Sequence, residues 1–154
     1  MDPVYERAIR GGNFPSKIKE IHAGFSLFYS GVAEAADDVY SVVNKESVGD
    51  VVQNGMRLST KLGVLDVKSL IALNDDNVLT GWVIFYANHP DGVSDPVRLL
   101  TVEASERGCY RVTGKRYMDR DGDHFFSLAV MEAMMELVRV NTEYLQLKKE
   151  QATA

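Results

Sequence analysis

The amino-acid sequence predicts an α+β protein with N-terminal helices, a four-stranded antiparallel meander sheet and a long C-terminal helix packed on that sheet. Between Ile18 and Val42, apolar residues recur at alternating steps of three and four, which is the period of an amphipathic helix. After Gly63 the pattern changes to short strands separated by turn formers. It returns to a helical period after Asp123. This order of elements predicts the fold class.

The first long helix begins near Ser16. Its apolar stripe consists of Ile18, Ile21, Phe25, Phe28, Val32, Ala35, Val39 and Val42. Gly24 and Gly31 lie a heptad apart within it, and each glycine costs about 1 kcal/mol relative to alanine in a helix. The pair indicates either close approach of another backbone or a break near Gly31. A short capped helix from Asp2 to Gly12 precedes this segment, so residues 1–45 form a helical N-terminal part.

Four strands follow, within residues 63–118. They are predicted near Val64–Leu73, Val78–Ala87, Val97–Glu103 and Cys109–Tyr117. Their connections are short and rich in turn formers, which makes consecutive strands antiparallel neighbours. The stretch VLTGWVIFYA is almost continuously apolar, so it is the expected central strand, with Trp82 in the core. The segment from Glu46 to Lys61 fits a helix and a strand equally well.

The last two strands form a hairpin whose register follows from its apolar pattern. Placing Glu103 opposite Cys109 aligns Val102 with Tyr110, and a slip of one residue would mix the two faces. This register leaves one set of side chains on the outer face, namely Val97, Leu99, Thr101, Glu103, Arg111, Thr113 and Lys115.

The C-terminal helix, predicted over residues 123–149, has more apolar surface than one sheet face can cover. Its polar residues form one narrow stripe, Glu132, Glu136, Arg139, Glu143, Gln146 and Glu150. A helix lying on a sheet needs an apolar arc of only about 100°. We therefore expect a second buried side, against the N-terminal helices or against another copy of the chain. The predicted self-interface consists of Phe125, Leu128, Met131, Met134, Met135 and Val138, and core packing is the alternative for the methionines.

Length and composition are those of one globular domain spanning residues 1–154. The chain has 45% apolar and 25% charged residues, which are ordinary globular values. Cys109 is its single cysteine, so no disulfide forms within the chain. No signal-peptide pattern and no apolar stretch near the ~20 residues that span a bilayer are present. A cytoplasmic or otherwise intracellular protein without membrane contact is expected.

The stretch MDRDGDHFF has the acidic residues of a metal loop but not its spacing. Counted from Asp119, a calcium-binding loop needs glycine at position six and a bidentate glutamate at position twelve. His124 and Val130 occupy those positions, and valine has no ligating atom. The better interpretation is that Asp121 or Asp123 caps the last helix.

No catalytic residue, metal site or cofactor is predicted from the remaining motifs. His22, His89 and His124 lack the spacing of a helical metal site, and the sequence has no nucleophile elbow or dinucleotide fingerprint. A site that assembles only in space, for example from Cys109 and a histidine, stays open at this point.

Residues 107–120 combine basic and aromatic side chains. The candidate nucleic-acid or anion site consists of Arg107, Tyr110, Arg111, Lys115, Arg116, Tyr117 and Arg120. Such a mixture on a sheet can hold phosphates or single-stranded RNA. The alternative is a solvated outer face, which the net charge of −5 favours.

Three classes of function are consistent with these patterns. The first is a non-catalytic interaction domain that forms a homo-oligomer, most simply a dimer, through its last helix and serves as an assembly or chaperone-like factor, with another protein as a possible further partner. The second is an accessory protein that binds nucleic acid or another anion through residues 107–120. The third is a small enzyme whose site is assembled only in space.

Overall fold

One antiparallel sheet and two long helices make up the described part of the protein. The computed structural model describes residues 14–39, 44–47, 55–60, 62–104, 110–112 and 123–153. In chain order these form helix α1 (Phe14–Val39), strands β1 (Asn44–Ser47), β2 (Met56–Thr60), β3 (Gly63–Leu73), β4 (Leu79–Ala87), β5 (Val97–Ala104) and β6 (Tyr110–Val112), and helix α2 (Asp123–Thr153). The α+β class is confirmed, with the C-terminal helix packed on the sheet. The short helix predicted from Asp2 to Gly12 lies outside the described residues.

The sheet has six strands, so the predicted number of four was wrong. The strands follow one another as neighbours from β1 to β6, and every pair is antiparallel, as in the predicted meander. The two additional strands come largely from the segment that fitted both a helix and a strand. In β2, Met56 and Leu58 are buried while Arg57 is exposed. This alternation is too short to identify a strand by itself, and pairing with β3 decides it.

The two faces of the sheet differ in what covers them. One face packs under both helices through buried residues, including Leu65, Val67, Val83, Phe85 and Val102. The opposite face, here called the open face, carries Glu46, Arg57, Asp66, Lys68, Leu70, Trp82, Ile84, Tyr86, Arg98, Thr101, Glu103 and Arg111. No described helix packs on it, and Leu70 remains 46% exposed. A meander sheet with one covered and one solvated face is a common antiparallel arrangement.

Phe28 is at the centre of the core. Its ring makes edge contacts with four rings from three other elements, Phe85, Tyr110, Phe125 and Phe126, at centroid distances of 5.3–6.4 Å. Tyr110 and Phe125 stack at 4.8 Å. Aromatic pairs in these geometries stabilise a core beyond the area that they bury.

The β5–β6 hairpin has a register two residues away from the predicted one. Ala104 pairs with Tyr110, Glu103 with Arg111 and Val102 with Val112. Because a shift of two keeps every side chain on its face, Glu103 and Arg111 still point outward, and face alternation alone could not distinguish the two registers. Cys109, Thr113 and Lys115 lie outside the described residues.

A bulge in β5 also overturns two predicted outer-face positions, Val97 and Leu99. The β4–β5 register shifts between Phe85 and Tyr86, which pair with Leu100 and Arg98, so Leu99 is the additional residue. Leu99 is buried and belongs to the core. Val97 lies opposite Ala87 and packs against the core. An extra residue in one strand breaks the two-residue alternation on which the prediction relied.

Helix α1 is continuous through Gly31, so of the two alternatives the break is excluded. The two glycines have different surroundings. A Cβ at Gly31 would overlap the Phe126 ring, whereas a Cβ at Gly24 would meet no atom within 4 Å. The close approach at Gly31 therefore involves a side chain of α2.

We predict different effects on stability for the same substitution at these two positions. Gly24→Ala should raise the free energy of unfolding by about 1 kcal/mol through helix propensity. The free energy of unfolding of Gly31→Ala should be about 1–3 kcal/mol lower than that of Gly24→Ala, because the added methyl group forces the Phe126 ring to move. Urea unfolding of both variants measures the difference, and equal stabilities would contradict the packing of Phe126 on Gly31.

Candidate functional site

The outer surface of α2 carries an apolar stripe, here called the helix stripe. It consists of Leu128, Met131, Met135, Val138, Thr142 and Leu145, which follow one another at alternating steps of three and four. Its large apolar side chains reach the solvent, with exposed fractions of 37% for Met131, 60% for Met135, 46% for Val138 and 66% for Leu145. Five of the ten exposed large apolar residues of the described chain lie on this one helix, so the exposure is concentrated there.

The helix stripe faces away from the core. Core contacts of α2 come from Phe126, Ala129, Val130, Ala133 and Leu137. At about 100° per residue, Ala133 and Met135 are separated by roughly 200° around the helix axis. The helix therefore has the two apolar sides that its composition predicts, and the described part of the chain covers only one of them.

The six residues predicted for the self-interface divide between these two sides. Phe125 is fully buried within the core, so its assignment to an interface was wrong. Met134 is partly buried and packs against the core. Leu128, Met131, Met135 and Val138 belong to the helix stripe. Thr142 and Leu145 were missed, although the same three- and four-residue steps continue through them.

A charged row borders the helix stripe. The Arg139 guanidinium donates hydrogen bonds to Glu136, at 2.8 Å from Nε, and to Glu143. The hydrogen bonds that Arg139 donates to Glu136 and then to Glu143 raise the pKa of Arg139 above its already high value. All three side chains are solvent-exposed or nearly so, which makes these pairs contribute little to the stability of the helix.

The open face combines half-buried aromatic rings with exposed cations. Trp82 Nε1 donates a hydrogen bond to the Ala72 carbonyl at 3.3 Å, so the indole reaches from β4 to the neighbouring strand. The Lys68 Nζ lies 5.7 Å from the centroid of the Tyr86 ring. The prediction that Trp82 is a core residue was wrong, because β4 is apolar on both faces and its composition does not show which face the helices cover.

Two cations of the open face are already paired with carboxylates. Arg57 Nε lies 2.8 Å from Asp66 Oδ1, and Arg111 Nη2 lies 2.7 Å from Glu103 Oε2. Asn74 Nδ2 also donates to Glu103 at 2.9 Å. The cross-strand pair of Glu103 and Arg111 accompanies the observed hairpin register.

Two residues of the predicted nucleic-acid or anion site, Tyr110 and Arg111, have surroundings that differ from those predicted. Tyr110 is buried in the aromatic core, so its assignment to the candidate nucleic-acid or anion site was wrong. Arg111 is exposed, but its guanidinium is held by Glu103. The other members, Arg107, Lys115, Arg116, Tyr117 and Arg120, lie outside the described residues.

The described histidines have separate surroundings. His22 contacts the Phe25 ring, while His89 contacts Tyr144 and accepts the Asp91 amide at 3.1 Å. Hydrogen bonds from Ser94 and Val93 hold the pKa of Asp91 well below its ordinary value, which makes this carboxylate the organiser of an exposed turn. The side chain of His124 and all of Cys109 lie outside the described residues.

Tyr29 is the buried titratable group of α1. Burial raises its pKa, and the neighbouring Ser69 hydroxyl opposes that shift, although no hydrogen bond of good geometry joins the two. The ring also makes an edge contact with Phe28. These contacts are those of a core tyrosine.

We predict that two residues first assigned to one interface differ sharply in their effect on stability. Phe125→Ala should cost about 3–5 kcal/mol, because it opens a cavity in the aromatic core. Met135→Ala should stay within about 0.5 kcal/mol, because the side chain lies in solvent. Chemical unfolding at high dilution measures both, and a large loss for Met135→Ala would show that this side chain is covered within one chain.

Metal, membrane and family features give no further assignment. Among the described residues, no group of three or more His, Cys, Asp or Glu side chains is placed to hold a metal ion. Neither α1 nor α2 is long and apolar enough over its described residues to cross a membrane. No protein-family model, curated protein or solved structure matches this chain.

Proposed function

We propose that this protein is a non-catalytic interaction domain that associates with a second copy of itself through the helix stripe, as an assembly or chaperone-like accessory factor. The observation that carries the proposal is the continuous apolar stripe on the solvent side of α2. Isolated apolar residues on a surface are ordinary, whereas a contiguous patch marks an interaction site.

The size of the stripe sets the strength of the association. From Leu128 to Leu145 it is about 26 Å long, and a helix is about 10 Å wide. This footprint of a few hundred Å² is smaller than the roughly 800 Å² per partner of a standard interface. We therefore expect a reversible dimer, with a dissociation constant in roughly the micromolar range or above.

An antiparallel arrangement of the two α2 helices fits the side chains best. It places Leu128 opposite the partner's Leu145, and Met135 opposite the partner's Val138. Two copies of an opposite-charge pair then form at the border, between Glu132 and the partner's Arg139. Such cross-helix pairs set orientation in coiled coils.

A parallel arrangement lacks these advantages. It would stack Thr142 on the partner's Thr142 and would bring Lys149 against the partner's Lys149 at the next position of the repeat. Like charges in that position oppose the pairing. Met134 would face the partner's Arg139, so the border would contain no opposite-charge pair.

We predict a concentration-dependent dimer that Met135→Glu abolishes. An acid buried in an apolar helix contact is strongly unfavourable, so the dissociation constant should rise at least tenfold. Light scattering across a dilution series measures the mass. Leu27→Glu is the matched control. Leu27 is a 67% exposed apolar residue on α1, so this substitution also replaces an exposed apolar side chain by glutamate, but outside the helix stripe. A monomer at all concentrations would contradict self-association.

We predict that cysteine cross-linking distinguishes the two orientations. In a Cys109→Ser background, a mixture of Leu128→Cys and Leu145→Cys chains should form disulfide-linked heterodimers under mild oxidation. Leu128→Cys alone should not cross-link, because the two cysteines would be about 26 Å apart and a disulfide needs Cα atoms within about 7 Å. Efficient cross-linking of Leu128→Cys alone would show a parallel dimer.

A further inference from the structure

We propose that the open face binds single-stranded nucleic acid, with bases stacked on Trp82 and Tyr86 and phosphates held by Lys68 and Arg98. This surface shares no residue with the helix stripe. The inference therefore does not depend on the proposed self-association.

The two rings form a platform on one strand. Trp82 and Tyr86 lie on the same side of β4, four residues and roughly 13 Å apart along the strand. Ile84 lies between the two rings and is almost fully buried, so neighbouring side chains fill the space between the rings. None of the ring–ring contacts within the described part of the chain includes either residue. Sheets that present aromatic rings to solvent bind single strands because every base has a face to stack.

Cations lie on both sides of Tyr86. Lys68 comes from β3, with its Nζ 5.7 Å from the ring centroid, and Arg98 is the direct partner of Tyr86 on β5. Both are exposed. Because both side chains are exposed, each can contact a phosphate beside a stacked base.

The charge of the open face is opposite to that of the whole chain. Its cations are Arg57, Lys68, Arg98 and Arg111, and its anions are Glu46, Asp66 and Glu103, which gives a net charge of +1 on this face over the described strands. The chain as a whole carries −5. Because Arg57 is bonded to Asp66 and Arg111 to Glu103, Lys68 and Arg98 are the cations that these two pairs leave over.

This chemistry favours a polyanion with aromatic groups over the other occupants of such a face. A second copy docked face to face would bring its own Lys68 and Arg98 toward these cations, which opposes the contact. An acidic peptide would use the cations but not the rings. A single-stranded nucleic acid uses both.

Trp82 provides a direct signal, because it is the only tryptophan of the chain. Titration with an oligouridylate or oligothymidylate of about 15 nucleotides should quench its fluorescence as bases stack. With two phosphate contacts on a single strand, the logarithm of the affinity should fall with a slope of about −1.4 in the logarithm of the salt concentration. The dissociation constant should then rise about sevenfold between 50 and 200 mM salt.

Charge reversal tests the assigned cations. Lys68→Glu and Arg98→Glu should each weaken binding at least tenfold. Lys19→Glu, at an exposed position of α1, makes the same change of charge away from the sheet and should leave the affinity unchanged. Equal melting temperatures for the three variants show that the fold is retained.

Three results would overturn the proposal. One is the absence of Trp82 quenching, and of any other sign of oligonucleotide binding, at 50 mM salt. Another is unchanged affinity in both Lys68→Glu and Arg98→Glu while the fold is intact. The third is equal affinity for poly-glutamate with the same dependence on Lys68 and Arg98, which would assign the face to an acidic protein segment.

Discussion

The aromatic contacts of Phe28 hold the two helices and the sheet together. This ring touches β4 through Phe85, β6 through Tyr110 and α2 through Phe125 and Phe126. Phe126 in turn occupies the space that Gly31 leaves on α1. The angle of α2 against α1, and with it the part of α2 that faces solvent, follows from how these rings pack.

Packing both helices on one face of the sheet leaves two surfaces that the described part of the chain does not cover. The first is the side of α2 opposite its core contacts, and the second is the face of the sheet opposite the helices. The core arrangement therefore determines where the protein can interact.

The two surfaces differ in chemistry and in position. The helix stripe has methionine, leucine and valine side chains that suit another apolar helix, whereas the open face has rings and cations that suit an anion. The helix stripe lies on the outer side of α2, and the open face lies on the side of the sheet away from the helices. The two surfaces therefore do not compete for space. An antiparallel dimer through α2 would present two open faces outward, and two linked sites bind a long polymer more tightly than one.

Long and regular sequence patterns are enough to locate most of the helices and strands. The three- and four-residue steps place α1 and α2, and turn formers on both sides locate β3, β4 and β5 within a residue or two. These signals arise from local propensity and from the period of each element, which neighbouring parts of the chain do not alter. The excess apolar arc of α2 was visible for the same reason.

Only the tertiary structure decided which of two equivalent sides each element buries. Phe125 and Met135 both belong to the apolar arc of α2, yet one is in the core and the other in solvent. Trp82 and Val83 are adjacent in an apolar strand, and only the position of the helices separates their faces. The hairpin register and the bulge at Leu99 likewise depend on contacts between strands, such as the pair of Glu103 and Arg111. The same periodic pattern fits either side of an element and either of two registers. The choice between them is therefore made by packing between elements that are distant in the chain.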